Sequence, residues 1–142
     1  MNIYFACSIT GGRAYEAVYQ AITRALDSDG IVIPTAHLAE TGVVNEEKGL
    51  EPRFVYDRDV NWIRGAQALI AEVSAPSHGV GYEIGLALEL GKPVLCLHEQ
   101  GRAVSKMITG NPDPKLSVKA YETAEEAVKL AREFLSQVKL YL

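Results

Sequence analysis

The chain has 142 residues, 48% of them apolar and 23% charged, with a formal net charge of -4. That length suits one domain able to bury its own core without disulfides or metal, and the acidic balance excludes the basic footprint of a protein that binds a nucleic-acid polymer. Cys7 and Cys96 lie in apolar runs with neither a CxxC spacing nor a His cluster, so reduced core thiols are expected rather than a zinc site.

The N-terminal residues carry no basic leader, and their apolar run is too short to cross a bilayer. A cytoplasmic location without a membrane partner is therefore expected. Residues 3–7 are continuously apolar and close on Ser8 and the Gly11-Gly12 pair, the pattern of a strand buried on both faces. Ala14, Ala17, Val18, Ala21, Ile22 and Ala25 recur at helical spacing, and residues 27–30 supply the stop. Residues 31–33 read as a second strand ended by Pro34. Residues 35–50 follow neither period and read as a long loop placed to cover something. Helical spacing returns over 53–66, and 68–73 is a third buried strand. After a turn at 74–81, Val80, Ile84, Ala87, Leu88 and Gly91 form the inward stripe of the next helix. A fourth strand covers 94–97, residues 101–114 are irregular, and a last strand spans 116–120. Ala124, Ala127, Val128, Ala131, Phe134, Leu135 and Val138 then share one face of an amphipathic helix.

Alternating helices and strongly apolar strands require a parallel sheet covered on both faces, joined by right-handed crossovers. The smallest such α/β arrangement is a flavodoxin/Rossmann-like five-stranded parallel sheet of order 2-1-3-4-5, one domain over 1–142. Ligands bind such sheets at the carboxyl ends of the strands where winding reverses. The loops 8–13 and 74–83 should therefore flank one crevice.

The first loop, Ser8-Ile9-Thr10-Gly11-Gly12-Arg13, joins a hydroxyl, two glycines and a cation at a helix start. Such a loop can approach a phosphate closely, although a plain strand-to-helix turn would look the same. It matches neither GxGxxG nor the Walker pattern. In Gly79-Val80-Gly81-Tyr82-Glu83-Ile84-Gly85, alternate glycines cost helix stability, which suggests a close approach to the backbone. Glu83 would fall in the first turn, held ionised by the helix dipole. It is either a nucleophile for a sugar carbon or simply a favourable first-turn charge. Asp59 shares a helix face with Val55, Trp62, Ile63 and Ala66, whereas Asp57 does not. Partial burial there suits Asp59 to proton transfer or to gripping a sugar hydroxyl, and the alternative is a buried cap for a neighbouring loop. Two carboxylates beside a phosphate-friendly crevice suggest retaining glycosyl chemistry.

The segments from Ile3 to Arg13, from Tyr56 to Trp62, Ala71-Glu72-Val73 through Ser77, from Gly79 to Gly85 and from Arg102 to Ile108 resemble the 2'-deoxynucleoside 5'-phosphate N-hydrolases, which belong with the nucleoside 2-deoxyribosyltransferases. The resemblance runs to about Gly110. It implies that Glu83 forms a glycosyl ester later released to water, and that Asp59 orients it and moves protons. It also implies a substrate-binding set of Tyr4, Ser8, Ile9, Thr10, Gly11, Gly12, Arg13, His37, Ser77, Gly79, Ser105 and Met107, with no metal or other cofactor. Ser105 matches a serine that reaches the phosphate from the neighbouring subunit, which implies a homodimer. Deoxyribosyltransferases usually carry an acid where this chain has Ser77, and a hydroxyl there favours a phosphate-bearing substrate because a carboxylate would repel it. Thr10 departs from the family, which commonly has arginine there. Arg13 is the candidate replacement. Hydrolysis of a nucleoside monophosphate, with deoxyribose or ribose as its sugar, is the expected activity. The alternatives are base exchange or non-catalytic nucleotide binding.

Overall fold

Four segments become strands, three of them with an unbroken apolar run: β1 (Ile3–Ala6), β2 (Ala68–Glu72), β3 (Val94–Glu99) and the more polar β4 (Leu116–Tyr121). In this computed structural model, which describes residues 1–9 and 13–142, they pair in parallel in the order β1-β2-β3-β4. The register sets Ile3 beside Ala68, Leu69 beside Val94 and Val94 beside Leu116. Thr10, Gly11 and Gly12 lie outside the described residues.

The apolar runs of β1, β2 and β3 are buried on both sides because helices cover both sides. Ile3, Phe5, Ala68, Ile70, Leu95 and Leu97 meet α1 (Glu16–Ser28) and α6 (Ala124–Lys139). Tyr4, Ala6, Leu69, Ala71, Val94 and Cys96 meet α3 (Pro52–Gly65) and α4 (His78–Glu89). Tyr19, Ile22 and Leu26 of α1 are fully enclosed, and burial worth about 2 kcal/mol for each such side chain seats that helix on the sheet.

The expected five-stranded sheet is four-stranded among the described residues. Residues 31–33 contribute one isolated parallel bridge, Asn2 to Val32, instead of a strand. Ile3 N–H donates to Val32 O and Val32 N–H to Met1 O, both at 2.9 Å, and Pro34 then has no N–H to continue the ladder. Phe5 N–H instead donates to Thr35 Oγ1 at 2.9 Å.

The segment 35–50, expected as a loop, contains a 3-10 turn at Ala36–Ala39 and the short helix α2 (Val43–Lys48). Gly42 opens α2 with φ 89°, a left-handed conformation that glycine adopts without steric cost. Arg13 ties this segment down: Nη1 donates to Leu38 O at 2.9 Å and to Ser8 O at 3.0 Å, and Nη2 to Glu40 O at 3.1 Å. The stretch 101–114, expected to be irregular, holds one further short helix, α5 (Lys106–Thr109). Among the described residues no helix is long and apolar enough to cross a membrane.

Candidate active site

A cavity of about 950 Å³ opens where the segments after β1 and β2 face each other. Cys7 and Ile9 line one side and Ser77, Gly79 and Glu83 another, with α3 as the third wall and Val44, Glu47 and Lys48 of α2 closing over them. Ile9 and Arg13, the described residues of loop 8–13 at the cavity, thus face Ser77, Gly79 and Glu83 across one crevice.

Helix α4 starts at His78, two residues before its first buried apolar residue, because Ser77 caps it: its Oγ accepts from Val80 N–H at 3.3 Å. Glu83 therefore lies in the second turn instead of the first, where the dipole acts less strongly. Burial governs it, pushing the carboxyl up from the usual 4.5 to about 7, with the nearby Asp59 charge adding to the rise and the Tyr4 hydroxyl and Arg58 opposing it. Glu83 Oε2 is buried without a hydrogen-bond partner among the described residues. A carboxylate in this state is poorly solvated and reactive, and near neutral pH it is only partly ionised. Gly79 stands next to it, since a Cβ at that position would lie 3.6 Å from Glu83 Oε1. Gly81 and Gly85 have open space where a side chain would go, so only Gly79 of the alternate glycines in this segment brings its backbone to the carboxylate.

Asp59 is on the inward face of α3, whereas Asp57 is exposed and pairs with Arg53. Burial raises the Asp59 carboxyl, and Arg58 holds it back. Arg58 Nε donates to Asp59 Oδ1 at 2.8 Å, and its Nη2 donates to Glu47 Oε1 at 2.9 Å. The guanidinium stacks over Trp62, 4.9 Å from the ring centroid. His37 Nε2 stands 3.3 Å from the same Glu47 oxygen, and its ring meets Trp62 edge-on at 5.9 Å. A connected row, His37–Glu47–Arg58–Asp59, thus joins the covering segment to the candidate acid.

Sequence reasoning missed Glu47 and Arg58. Arg58 precedes Asp59 directly, and adjacent helical residues diverge; only the length of its side chain lets it fold back. The available signal was Asp59 itself, since a carboxylate on a buried stripe needs a nearby counter-charge.

The other expected positions divide into three groups. Tyr4 is buried beside Glu83, and burial together with the two carboxylates raises its hydroxyl far above the ordinary range. Ser8 is fully buried, its Oγ without a partner among the described residues, and Ile9 lines the cavity. Arg13 also lines it, but every guanidinium nitrogen is already engaged: Nε and Nη2 with Glu16 at 3.1 and 2.8 Å, Nη1 and Nη2 with the carbonyls named above. Ser105 caps α5 and, with the 85% exposed Met107, lines a separate cavity of about 650 Å³ that shares Ser77 with the first. The structure therefore does not bring Ser105 and Met107 into the cavity of Glu83 within one chain. Cys7 lines the cavity, but burial pushes its thiol up to about 12, so it is not a competing nucleophile. Among the described residues no cluster of three or more His, Cys, Asp or Glu is placed to hold a metal ion.

Residues 3–131 match the family described as "Nucleoside 2-deoxyribosyltransferase", so the match continues past Gly110 into α6. A relative from Rattus norvegicus, the "5-hydroxymethyl-dUMP N-hydrolase", is 40% identical over 138 residues, covering 94% of this chain and 84% of its own. The protein of the same name from Tetraodon nigroviridis is 37% identical, covering 98% of this chain and 100% of its own. Among solved structures, the Clostridium botulinum CMP N-glycosidase superposes with a TM-score of 0.71 at 18% identity, covering 100% of both chains, a likeness of fold.

Proposed function

The chain belongs to the nucleoside 2-deoxyribosyltransferase family, and from that premise we propose that it hydrolyses the N-glycosidic bond of (2'-deoxy)nucleoside 5'-monophosphates, releasing free base and (deoxy)ribose 5-phosphate. The observation that carries this reading is the buried Glu83 carboxyl with its unpartnered Oε2, set beside Asp59 in a cavity large enough for a nucleotide. The names of the 40% and 37% identical relatives, both N-hydrolases of a nucleoside monophosphate, support it.

Glu83 attacks the anomeric carbon as its carboxylate. The carbon–nitrogen bond breaks, its electron pair leaves with the base, and a proton reaches the base to make it neutral. Asp59, raised by burial, is the candidate source of that proton. The resulting glycosyl ester is then attacked at the same carbon by water, which gives its proton to Asp59 and restores the Glu83 carboxylate. Ser8, the backbone of loop 8–13 and the capped start of α4 at Ser77 are the proposed phosphate cradle, since the first N–H groups of a helix have no acceptors within it.

The same reading includes a cytoplasmic homodimer. Ser105 and Met107 point to it, because they line the second cavity, outside the acid cavity of their own chain but against its Ser77 wall.

The test is to incubate the protein with deoxy- and ribonucleoside monophosphates and the matching nucleosides, with and without added free base, and to measure released base. Release from the phosphates alone is expected. No release from any substrate would refute hydrolysis, equal rates with nucleosides would refute the phosphate cradle, and capture by added base would establish base exchange instead. Glu83→Gln should abolish turnover while retaining nucleotide binding, and full turnover in that variant would refute Glu83 as the nucleophile, whereas nucleotide binding without base release in wild type would leave only a binding module.

A further inference from the structure

Once the reacting carbon is assigned to Glu83, a sugar hydroxyl to Asp59 and the phosphate to the loop 8–13 and Ser77, one part of the cavity remains. It is the side where α2 meets the start of α3, walled by Val44, Pro52, Val55 and Tyr56. Apolar walls suit the faces of a flat heteroaromatic ring, while its edge needs polar partners. Glu47 lines this side. Its Oε1 accepts from Arg58 at 2.9 Å and faces His37 Nε2 at 3.3 Å, whereas its Oε2 is buried with no hydrogen-bond partner among the described residues.

A buried carboxylate oxygen has strong acceptor capacity, and leaving it unpaired is costly. Arg58 and His37 fix the carboxylate's orientation through the other oxygen, so Oε2 is held in one place before any ligand arrives. We infer that Glu47 is a specificity residue for the proposed reaction, its Oε2 accepting a hydrogen bond from an N–H on the pairing edge of the substrate's base.

This inference rests on the hydrolase reading and fails separately from it. Glu47 has a second effect, which is to hold the covering segment to Arg58, and that effect treats all substrates alike. Base recognition does not: a site built around a hydrogen bond discriminates against the analogue lacking the donor. The experiment uses the full-length protein and the four common deoxynucleoside monophosphates, each paired with its analogue methylated at the donor nitrogens of the pairing edge. The readout is the ratio of kcat/KM within each pair, for wild type, Glu47→Ala and Glu47→Gln.

For the best substrate pair, wild type is expected to favour the unmethylated member by roughly 10- to 100-fold, the range of one hydrogen bond to a charged group. Both variants are expected to bring that ratio close to one. Glu47→Gln keeps the shape and an oxygen for Arg58, so a ratio that collapses in Glu47→Ala but survives in Glu47→Gln would be steric exclusion of the methyl group and would overturn the inference. An equal fall in both members of every pair would reduce Glu47 to a strut for the covering segment and overturn it as well. Absence of base release in wild type from these four and from the ribonucleoside monophosphates alike would refute hydrolysis itself, and the inference with it.

Discussion

Replacing Glu83 with Gln should make the protein more stable, and only above a defined pH. The carboxyl loses its proton near 4.5 in the unfolded chain and at about 7 when folded, chiefly because burial penalises its charge. Between those values unfolding releases a proton, so stability falls as pH rises through the window; below it the group contributes nothing, and above it the full penalty applies. The difference between 4.5 and about 7, at about 1.36 kcal/mol per pH unit, is about 3 kcal/mol. For a chain of this size that corresponds to a rise in Tm of roughly 6–12 °C. The assay is thermal unfolding of wild type and Glu83→Gln, followed by circular dichroism at pH 4.5 and pH 8.5. Gln removes the titration but keeps the shape, so the difference between the two proteins at pH 8.5, less that at pH 4.5, isolates the ionisation. Other titrating groups, including the buried Glu72 with its raised carboxyl, cancel in that subtraction. A difference independent of pH, or a variant that loses stability relative to wild type as pH rises, would refute the account of Glu83 as a carboxylate forced to carry charge out of water.

Three other outcomes follow from the same geometry. The ascending limb of kcat/KM against pH should have its midpoint at about 7, where Glu83 ionises, and Tyr4→Phe should move it higher by removing a hydroxyl that favours the charged form; a midpoint that stays put or falls in that variant would contradict the placement of Tyr4. Arg13→Ala should cost roughly 3 kcal/mol of stability in urea unfolding, because it strips charged donors from three backbone carbonyls, while the activity ratio of nucleotide to nucleoside stays as in wild type. A selective loss with nucleotides would make Arg13 a phosphate ligand after all. Gly79→Ala should raise Tm slightly, by up to about 1 kcal/mol of helix propensity. Its methyl group, 3.6 Å from Glu83 Oε1, takes space the sugar needs, so kcat/KM should drop by about tenfold or more; unchanged activity would mean the sugar approaches from elsewhere.

What could be read from the residues was whatever their periodicity carries. β1, β2 and β3 are visible because the part of a strand covered on both faces must be apolar, and Asp59 declared its inward position through the stripe it shares with Trp62 and Ile63. Periodicity carries nothing about hydrogen-bond supply, so the failure of residues 31–33 to become a strand lay in Pro34 and Thr35. The six residues of α2 are too few to display a helical stripe, which is why the covering segment looked structureless. Its contribution to the site, Glu47, was hidden with it. The start of α4 was misplaced for a related reason: apolar spacing marks where a helix becomes buried, at Val80, whereas the cap at Ser77 marks where it begins, and those two residues decide which turn holds Glu83. Arg13 was legible as a cation at a phosphate-friendly loop, but the carbonyls of Leu38 and Glu40 that occupy it lie over twenty residues away in sequence.

The hydroxyl of Thr35 takes the bond from Phe5 N–H that a longer strand would have accepted with a main-chain oxygen. A backbone engaged in a ladder has to keep running beside its neighbour, whereas a side-chain acceptor releases the main chain to change direction at once. The polypeptide uses that freedom immediately, leaving the sheet's rim at Ala36 and bending back as the roof from which Glu47 hangs. Had the ladder continued by even one more rung, the chain would have been carried past the rim, and the hollow beside Glu83 would stand open to bulk water on that side. The shortness of one edge segment is thus what gives the enclosure its ceiling.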